Sequence, residues 1–377
     1  MRIPLSAPDI TEAEIEGVTA VLRTNSLSLG PKLEEFEESL AAFHRMPEAI
    51  AVSSGTAALH LAIRALGIGE GDEVIVPSFT FVAVANAVLY ERATPVFVDI
   101  DSVTLNVDPA RVAGAITVRT RAIIVVHTFG VPAEMDVLME LARRHGLAVI
   151  EDACEAIGAT YNDKLVGSFG DTATLAFYPN KQMTTGEGGA VLVRDTQLAG
   201  RIRALRNQGR YPSGDWLQHA EIGYNYRLSE MACALGLTQL GRLPEILALR
   251  AEVARNYDAL LAPLERNDRI VRPRLHFPLR QISWFVYVIQ LAERFSVDDR
   301  DRVMESLQLQ SIGCARYFAP IHLQPAYLET PSAMQAKLPV TESIAQRTLA
   351  LPFFNRLSQV NAKDVVGALE QALAQLP

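Results

Sequence analysis

The sequence is poor in cysteine. Its 377 residues include three cysteines, Cys154, Cys233 and Cys314, and these lie far apart in the chain. Disulfide frameworks and structural zinc sites need several cysteines at short, regular spacings, so the sequence favours neither and we expect no metal site. Free thiols are typical of proteins in a reducing compartment, and we therefore expect a cytoplasmic protein.

Long apolar runs are also absent. No run approaches the roughly 20 residues that a membrane-spanning helix needs. The first residues lead to Asp9 and Glu12 without the apolar segment of a secretory signal peptide. The formal net charge is −8, which argues against nucleic acid or an anionic membrane as a partner. We therefore expect a soluble protein with neither partner.

Two common nucleotide-binding signatures are missing. The chain contains no Gly-Lys-Ser or Gly-Lys-Thr phosphate loop. The glycine-rich segment over residues 67–71 follows a predicted helix and precedes a predicted strand, which is the reverse of the order in a dinucleotide fingerprint. The sequence thus supports neither a nucleoside triphosphatase nor a dinucleotide-binding protein.

What the sequence does contain is a regular alternation of strands and helices. Between residues 49 and 193 the predicted strands are 74–77, 96–98, 122–126, 148–151, 174–177 and 190–193. This alternation predicts an α/β fold with a mostly parallel sheet, of the seven-stranded type, between helices. Beyond a long helix predicted over residues 244–261, a strand over 284–291 and two further helices predict a smaller α+β unit. We predict a large domain over residues 1–242 and a small C-terminal domain over residues 243–377.

Lys181 is the most informative single residue. It follows the apolar strand 174–177 and a Pro-Asn break, and it precedes the glycine-rich segment 186–189. The ordinary interpretation is a solvated loop charge. Apolar neighbours such as Phe177 and Met183 favour a second interpretation, in which desolvation favours the neutral amine that Schiff-base chemistry requires.

Two upstream segments could serve such a lysine. Asp152 ends a buried-type strand and could pair with the ring nitrogen of pyridoxal phosphate, which needs an acidic partner. Residues 53–58 are small and lie where the strand 49–52 turns into the helix 59–66. A helix N-terminus of this kind can bind a phosphate through its free N–H groups.

Several ordered blocks together carry a family resemblance. They are residues 29–31 with 36–37, then 53–58, 77–83, 151–156, 177–189, 225–227 and 320–324, and they span nearly the whole chain. In these blocks the sequence resembles the sugar aminotransferases of the DegT/DnrJ/EryC1/StrS family, which are pyridoxal-phosphate enzymes of fold type I. The resemblance implies that Lys181 forms the Schiff base with the cofactor and moves the substrate proton, while Asp152 keeps the ring nitrogen protonated.

The resemblance also implies roles around the cofactor. Gly55 and Thr56 would hold the phosphate, and Phe81 would stack on the ring, although Phe81 by itself is typical of a core aromatic. Glu155 would lie beside the ring hydroxyl, where the family more often has Gln or His, and Ala176 occupies the place of a phosphate-binding serine in many members. Asn225 would reach the cofactor phosphate of a neighbouring subunit, which implies a homodimer with shared active sites.

The implied substrates are a nucleotide-linked keto sugar and L-glutamate. Ser28 in the 25–30 loop, together with Arg316, Tyr317 and His322, would contact substrate, although each is equally typical of a polar connecting loop. The segment 183–189 resembles members that aminate C4 of a 4-keto-6-deoxyhexose, with 3-keto sugars and cyclitol ketones as alternatives. A non-catalytic regulatory protein of the same fold is a further alternative. His127 is interpreted as a hydrogen-bonded histidine near the edge of the sheet.

Overall fold

The computed structural model describes residues 2–211 and 217–376. The sequence over residues 209–215 is polar and predicts a loop; residues 212–215 of this segment lie outside the described residues. In the described part of the chain, the α-helices are α1 (Glu12–Leu22), α2 (Pro31–His44), α3 (Gly55–Ala65), α4 (Ala83–Tyr90), α5 (Pro109–Ala115), α6 (Met135–His145), α7 (Thr196–Arg206), α8 (Glu230–Gly241), α9 (Leu243–Arg266), α10 (Val297–Leu309), α11 (Pro331–Gln335), α12 (Pro339–Arg347) and α13 (Gln359–Ala374).

The strands form one large sheet and two small ones. They are β1 (Glu48–Val52), β2 (Glu73–Pro77), β3 (Thr94–Val98), β4 (Thr120–Val126), β5 (Ala148–Asp152), β6 (Thr160–Tyr161), β7 (Lys164–Leu165), β8 (Thr172–Ala176), β9 (Gly189–Val193), β10 (Ile270–Val271), β11 (Arg280–Gln281), β12 (Tyr287–Leu291) and β13 (Thr348–Leu351).

The large sheet has seven strands in the order β1-β9-β8-β5-β4-β2-β3. β9 runs antiparallel to both of its neighbours, and the other neighbouring strands are parallel. The predicted α/β fold with a mostly parallel sheet is therefore confirmed. Val126 pairs with Asp152, and Asp152 pairs with Thr174, so the carboxyl ends of three adjacent strands meet at one edge. Open α/β sheets bind their ligands at this edge.

The C-terminal part packs around a three-stranded sheet in the order β10-β12-β13. Its core combines Ile3 with buried residues between 253 and 376. A separate aromatic cluster joins this part to the large sheet through Phe79, Phe129, Phe285 and Phe318. The helix α9 begins at Leu243, directly after the predicted boundary, and the division into two domains stays a prediction.

Most predicted strands differ from the observed ones by one or two residues, but the strand predicted over 284–291 is shorter. It begins at Tyr287. The carbonyl oxygens of Trp284 and Phe285 instead accept hydrogen bonds from the buried Arg250 guanidinium, both at 2.6 Å. A side chain from α9 therefore replaces a strand partner at these two residues.

In the described part of the chain, no helix combines the length and the apolar character needed to cross a membrane. Residues 2–211 and 217–376 also contain no group of three or more His, Cys, Asp or Glu side chains placed to hold a metal ion.

Candidate active site

The N-terminus of α3 forms one wall of the site. Ser54 caps the helix, because its Oγ accepts a hydrogen bond from the Ala57 N–H at 3.1 Å. A Cβ added at Gly55 would lie 2.7 Å from the Cβ of Ala176, so glycine is what allows β8 to approach the helix start. The first N–H groups of a helix carry a partial positive charge and have no partner within the helix. This wall can therefore bind an anion such as a phosphate.

The end of β5 presents two carboxylates to opposite sides of the sheet, as alternation along a strand requires. Glu151 is fully buried and accepts N–H groups of Gly167, Phe169 and Gly170 at 2.6–2.8 Å. Burial acts to raise the pKa of Glu151, but the hydrogen bonds, above all that from His127, outweigh it and leave the pKa below its ordinary value. Asp152 faces the cavity, and its Oδ1 accepts the Cys154 N–H at 3.1 Å.

His127 is a hydrogen-bonded histidine, as predicted. Its Nδ1 accepts the Ala133 N–H at 3.1 Å, so the other ring nitrogen, Nε2, is the one that donates to Glu151, also at 3.1 Å. His127 directly follows β4, an inner strand, and so lies at the edge where the carboxyl ends of the strands meet. The pair fixes the ends of β4 and β5 and thereby the backbone that carries Asp152.

Lys181 lies in a tight turn after β8. Its N–H donates to the Tyr178 carbonyl at 2.9 Å, and Thr184 Oγ1 donates to the Phe177 carbonyl at 2.9 Å. The Lys181 side chain is only 14% exposed, and its Nζ lies 3.6 Å from Glu155 Oε1. It is therefore not a solvated loop charge.

The apolar contact of the Lys181 amine comes from a distant segment. Nζ lies 4.0 Å from the centre of the Phe285 ring. Phe177 and Met183, which the sequence suggested as neighbours, are instead buried in the core behind the turn, where Phe177 packs edge-on against Phe36. Nothing in the sequence next to Lys181 indicates that Phe285 lies against its amine.

These walls enclose a cavity of about 590 Å³. It is lined by Ser54, Gly55, Thr56, Leu59, Thr80, Phe81, Ala83, Val126, Asp152, Cys154, Glu155, Ala176, Tyr178, Asn180, Lys181, Glu187, Gly188, Phe285, Arg316, Tyr317 and Phe318. Eight residues that the sequence analysis predicted to form the site are thus brought together: Gly55, Thr56, Phe81, Asp152, Glu155, Lys181, Arg316 and Tyr317. Phe81 is 61% exposed, which is not the exposure of a core aromatic.

Three predicted site residues do not line this cavity. His322 is buried, and its ring contacts Ser78 Oγ at 2.7 Å and Glu342 Oε1 at 3.4 Å. Ser28 is exposed and forms a β-bridge with Ser229. Asn225 is exposed and forms a bridge with Asn207. Ser28 and Asn225 thus lie at the surface, where a second subunit could meet them, and their roles stay predictions.

The residues present suit pyridoxal phosphate. The cavity offers an amine for the cofactor aldehyde, a carboxylate for a pyridinium nitrogen and a helix N-terminus for a phosphate. Gly55 lies too close to Ala176 for a side chain to fit, so the backbone at the start of α3 is not covered by a side chain at this residue. Phe81, Leu59 and Val126 supply apolar surface for an aromatic ring.

The whole chain is similar to known proteins. A model of the DegT/DnrJ/EryC1/StrS aminotransferase family matches residues 8–370. GDP-perosamine synthase from Caulobacter vibrioides is 41% identical over 373 residues, which cover 99% of this chain and 98% of that protein. The structure of DesV from S. venezuelae has a TM-score of 0.89 at 37% identity and covers 100% of this chain and 99% of its own. Spr1654 from Streptococcus pneumoniae, in its PLP form, has a TM-score of 0.93 at 27% identity, with 100% and 99% covered.

The family match extends over nearly all of the chain, and the relatives cover it from end to end. The resemblance seen in the sequence blocks is therefore confirmed: the chain belongs to the DegT/DnrJ/EryC1/StrS family and is a pyridoxal-phosphate-dependent sugar aminotransferase.

Proposed function

We propose that this aminotransferase moves the amino group of L-glutamate to C4 of a nucleotide-linked 4-keto-6-deoxyhexose. The observation that carries the proposal is the 41% identity, over 99% of the chain, to a protein named GDP-perosamine synthase. GDP-perosamine is a nucleotide-linked aminodeoxy sugar, and a ketone is the group from which a transaminase makes an amine. The segment 183–189, which resembles C4-aminating members, supports the same carbon.

The bound cofactor supplies a carbonyl that accepts the amino group and a ring that takes up electrons from the substrate carbon. Within the chain, Lys181 Nζ is the atom proposed to move the proton between the substrate carbon and the cofactor carbon, since its side chain ends inside the cavity. Asp152 would hold the proton of the ring nitrogen, and Gly55 and Thr56 at the start of α3 would bind the phosphate.

The sugar nucleotide is proposed to enter past Arg316 and Tyr317. Arg316 lies at the cavity wall with its Nη2 2.7 Å from Asp301 Oδ2, and half of its side chain is exposed. A guanidinium held in this way can pair with the diphosphate of a nucleotide sugar. Burial raises the pKa of Tyr317 to about 12, so its hydroxyl would remain a hydrogen-bond donor to the sugar.

The proposed assembly is a homodimer in which each subunit contributes Asn225, and the 25–30 loop with Ser28, to the active site of the other subunit. The exposure of both residues on the single chain supports this arrangement. The described cysteines are all free thiols, which suits the proposed cytoplasmic location.

A panel of ketones tests the substrate. The loaded enzyme is incubated with ¹⁵N-labelled L-glutamate and, in separate reactions, with GDP-4-keto-6-deoxymannose, a 3-keto nucleotide sugar and a free cyclitol ketone. We expect a new C–N bond at C4 of the first ketone, located by NMR. Amination only of the 3-keto sugar or only of the cyclitol would overturn the C4 proposal. L-Alanine and L-aspartate replace glutamate in parallel reactions, and equal rates with all three donors would overturn the proposed donor.

A further inference from the structure

Gln182 directly follows the cofactor lysine and is buried, with 3% of its surface exposed. Its Nε2 donates to the backbone carbonyl of Glu155 at 2.6 Å, and it lies 3.1 Å from the carbonyl oxygen and 3.0 Å from the Oγ of Ser283. The Ser283 hydroxyl gives its own hydrogen to the Ile157 carbonyl at 2.6 Å, so towards Gln182 it can only accept. Because all three partners are acceptors, the amide must present its NH₂ group to them.

The two segments that Gln182 reaches also carry side chains that contact the Lys181 amine. Glu155 Oε1 lies 3.6 Å from Lys181 Nζ. Phe285, two residues after Ser283, has its ring centre 4.0 Å from the same atom. The side chain that follows the lysine is therefore hydrogen-bonded to the segments that carry both of these contacts.

Other hydrogen bonds fix these two segments in place. The Phe129 N–H donates to Glu155 Oε2 at 3.0 Å. The Ser283 N–H donates to the Gly130 carbonyl at 3.0 Å. Gly130 has no room for a side chain, because an added Cβ would lie 1.7 Å from the Ser283 carbonyl oxygen. Both segments are thus held by contacts of their own, and the amide of Gln182 links the lysine turn to them.

The other end of the amide has no such partners. In the described part of the chain, Gln182 Oε1 is buried and accepts no hydrogen bond. A buried acceptor without a donor offsets part of the stability gained from the donated hydrogen bonds. The amide is therefore better explained by the position that it gives the lysine turn than by stability alone.

We propose that Gln182 is a positioning residue for Lys181. Its amide holds the turn at a fixed distance from Glu155 and Phe285, so that Nζ stays where it can move the substrate proton. The inference rests on the proposed proton transfer by Lys181 and is independent of the identity of the sugar and of the amino donor. A misplaced proton-transfer group lowers the rate without lowering substrate affinity, since its contacts matter in the transition state.

Nuclear magnetic resonance of the cofactor-free protein tests the position of the lysine directly. The chain has five lysines, so ¹³C-labelled lysine gives a small set of side-chain signals. A nucleus above the face of an aromatic ring resonates upfield. Lys181 lies in this way over Phe285, and Lys164 lies over Phe169 with its Nζ 4.2 Å from the ring centre. We expect both ε-methylene signals upfield of the others. In Gln182→Met the Lys181 signal should return towards the others, whereas the Lys164 signal should stay.

The loaded enzyme tests the consequence for the reaction, with an amino donor that the wild type accepts. We expect Gln182→Met to lower the maximal rate of the first half-reaction at least about tenfold. The donor concentration at half-maximal rate should change less than about twofold. Gln182→Asn keeps the amide but is one methylene shorter, so it should show the same effects. Val365→Ala, in the buried core of the C-terminal part, lowers stability and is the control that should keep the wild-type signal and rate.

Three outcomes would overturn the proposal. A wild-type Lys181 signal in both Gln182 variants would show that the amide does not hold the lysine. A moved signal together with the wild-type rate would show that this position does not matter for proton transfer. Equal effects in Val365→Ala would show that lost stability is the cause. Failure of the proposed sugar or donor would leave all these measurements unaffected.

Discussion

The Arg250 guanidinium donates a hydrogen bond of 2.6 Å to the carbonyl oxygen of Phe285, the residue whose ring lies against the Lys181 amine. The same guanidinium bonds the Trp284 carbonyl at 2.6 Å and Asn355 Oδ1 at 2.8 Å. Arg250 is itself 2% exposed and belongs to α9. A buried side chain of the long helix therefore fixes an aromatic wall of the active site.

Arg250→Met should lower the free energy of unfolding by about 3 kcal/mol or more, because it leaves buried carbonyl oxygens without donors. It should also weaken cofactor binding, since the segment that carries Phe285 loses its anchor. Urea denaturation and titration with pyridoxal phosphate measure the two effects. Arg255→Met, on the exposed side of the same helix, is the control. Unchanged stability and cofactor affinity in Arg250→Met would contradict the anchoring role.

Lys181→Ala should abolish both the visible absorbance of the covalently bound cofactor and all turnover. The amine is the only lysine nitrogen among the residues that line the described cavity, and no other lining residue can replace it as a Schiff-base partner. Lys363→Ala, on the exposed side of α13, should leave both readouts unchanged. Full activity of Lys181→Ala would contradict the assignment of Lys181 as the Schiff-base lysine.

Mixed dimers test whether sites are shared between subunits. Lys181→Ala and Asn225→Ala chains should each be nearly inactive alone, and exchange of subunits between them should restore activity. Random exchange places half of the chains in hybrid dimers with one intact site in two, so about a quarter of the wild-type rate is expected. Native mass spectrometry establishes the exchange. No restoration in an exchanged sample would count against the contribution of Asn225 across an interface.

His44 should make the protein sensitive to mild acid. Burial lowers the pKa of His44 from 6.5 to about 4, and its ring is fully enclosed, with Nδ1 bonded to the Leu40 carbonyl at 3.1 Å. Below pH 6.5 the unfolded chain binds a proton at this residue that the folded chain does not bind. The free energy of unfolding is therefore at its full value above the pKa that His44 has in the unfolded chain. It decreases as the pH falls towards the pKa that His44 has in the folded chain.

The expected loss of stability from this residue is roughly 1.4 kcal/mol between about pH 7.5 and about pH 5.5. Denaturant unfolding of the wild type and of His44→Gln at both pH values gives the slope of the unfolding free energy against pH for each protein. The difference between the two slopes measures the contribution of His44. His145→Gln, exposed at the end of α6, is the control and should keep the wild-type slope. Equal slopes in the wild type and His44→Gln would refute the prediction.

The residues predicted from the sequence to form the site fall into two groups. Gly55, Thr56, Asp152 and Lys181 follow directly from strands and helix starts, and the structure brings them into one cavity. Seven more were chosen by resemblance: four of them, Phe81, Glu155, Arg316 and Tyr317, line the same cavity, whereas Ser28, Asn225 and His322 lie outside it. A strand end has a position fixed by the sheet, whereas a loop residue takes its position from whatever packs beside it.

His322 illustrates the difference. Nothing in the residues next to His322 indicates that Ser78, which follows β2, would form a hydrogen bond with its ring. The contact forms because the short helical turn over Ile321–Leu323 packs at the carboxyl end of the large sheet, with Ile321 in the core of that sheet. Predicting it would have required the relative placement of segments far apart in the chain.

The sequence by itself determined the alternating strands and helices, the turn of small residues before α3 and the order of acid and lysine, because periodicity and turn chemistry act between near neighbours. Only the tertiary structure decided that Phe285 covers the Lys181 amine and that Glu155 lies 3.6 Å from it. These contacts depend on how the aromatic cluster between the two sheets packs, and such packing is set by the combined shape of many distant side chains.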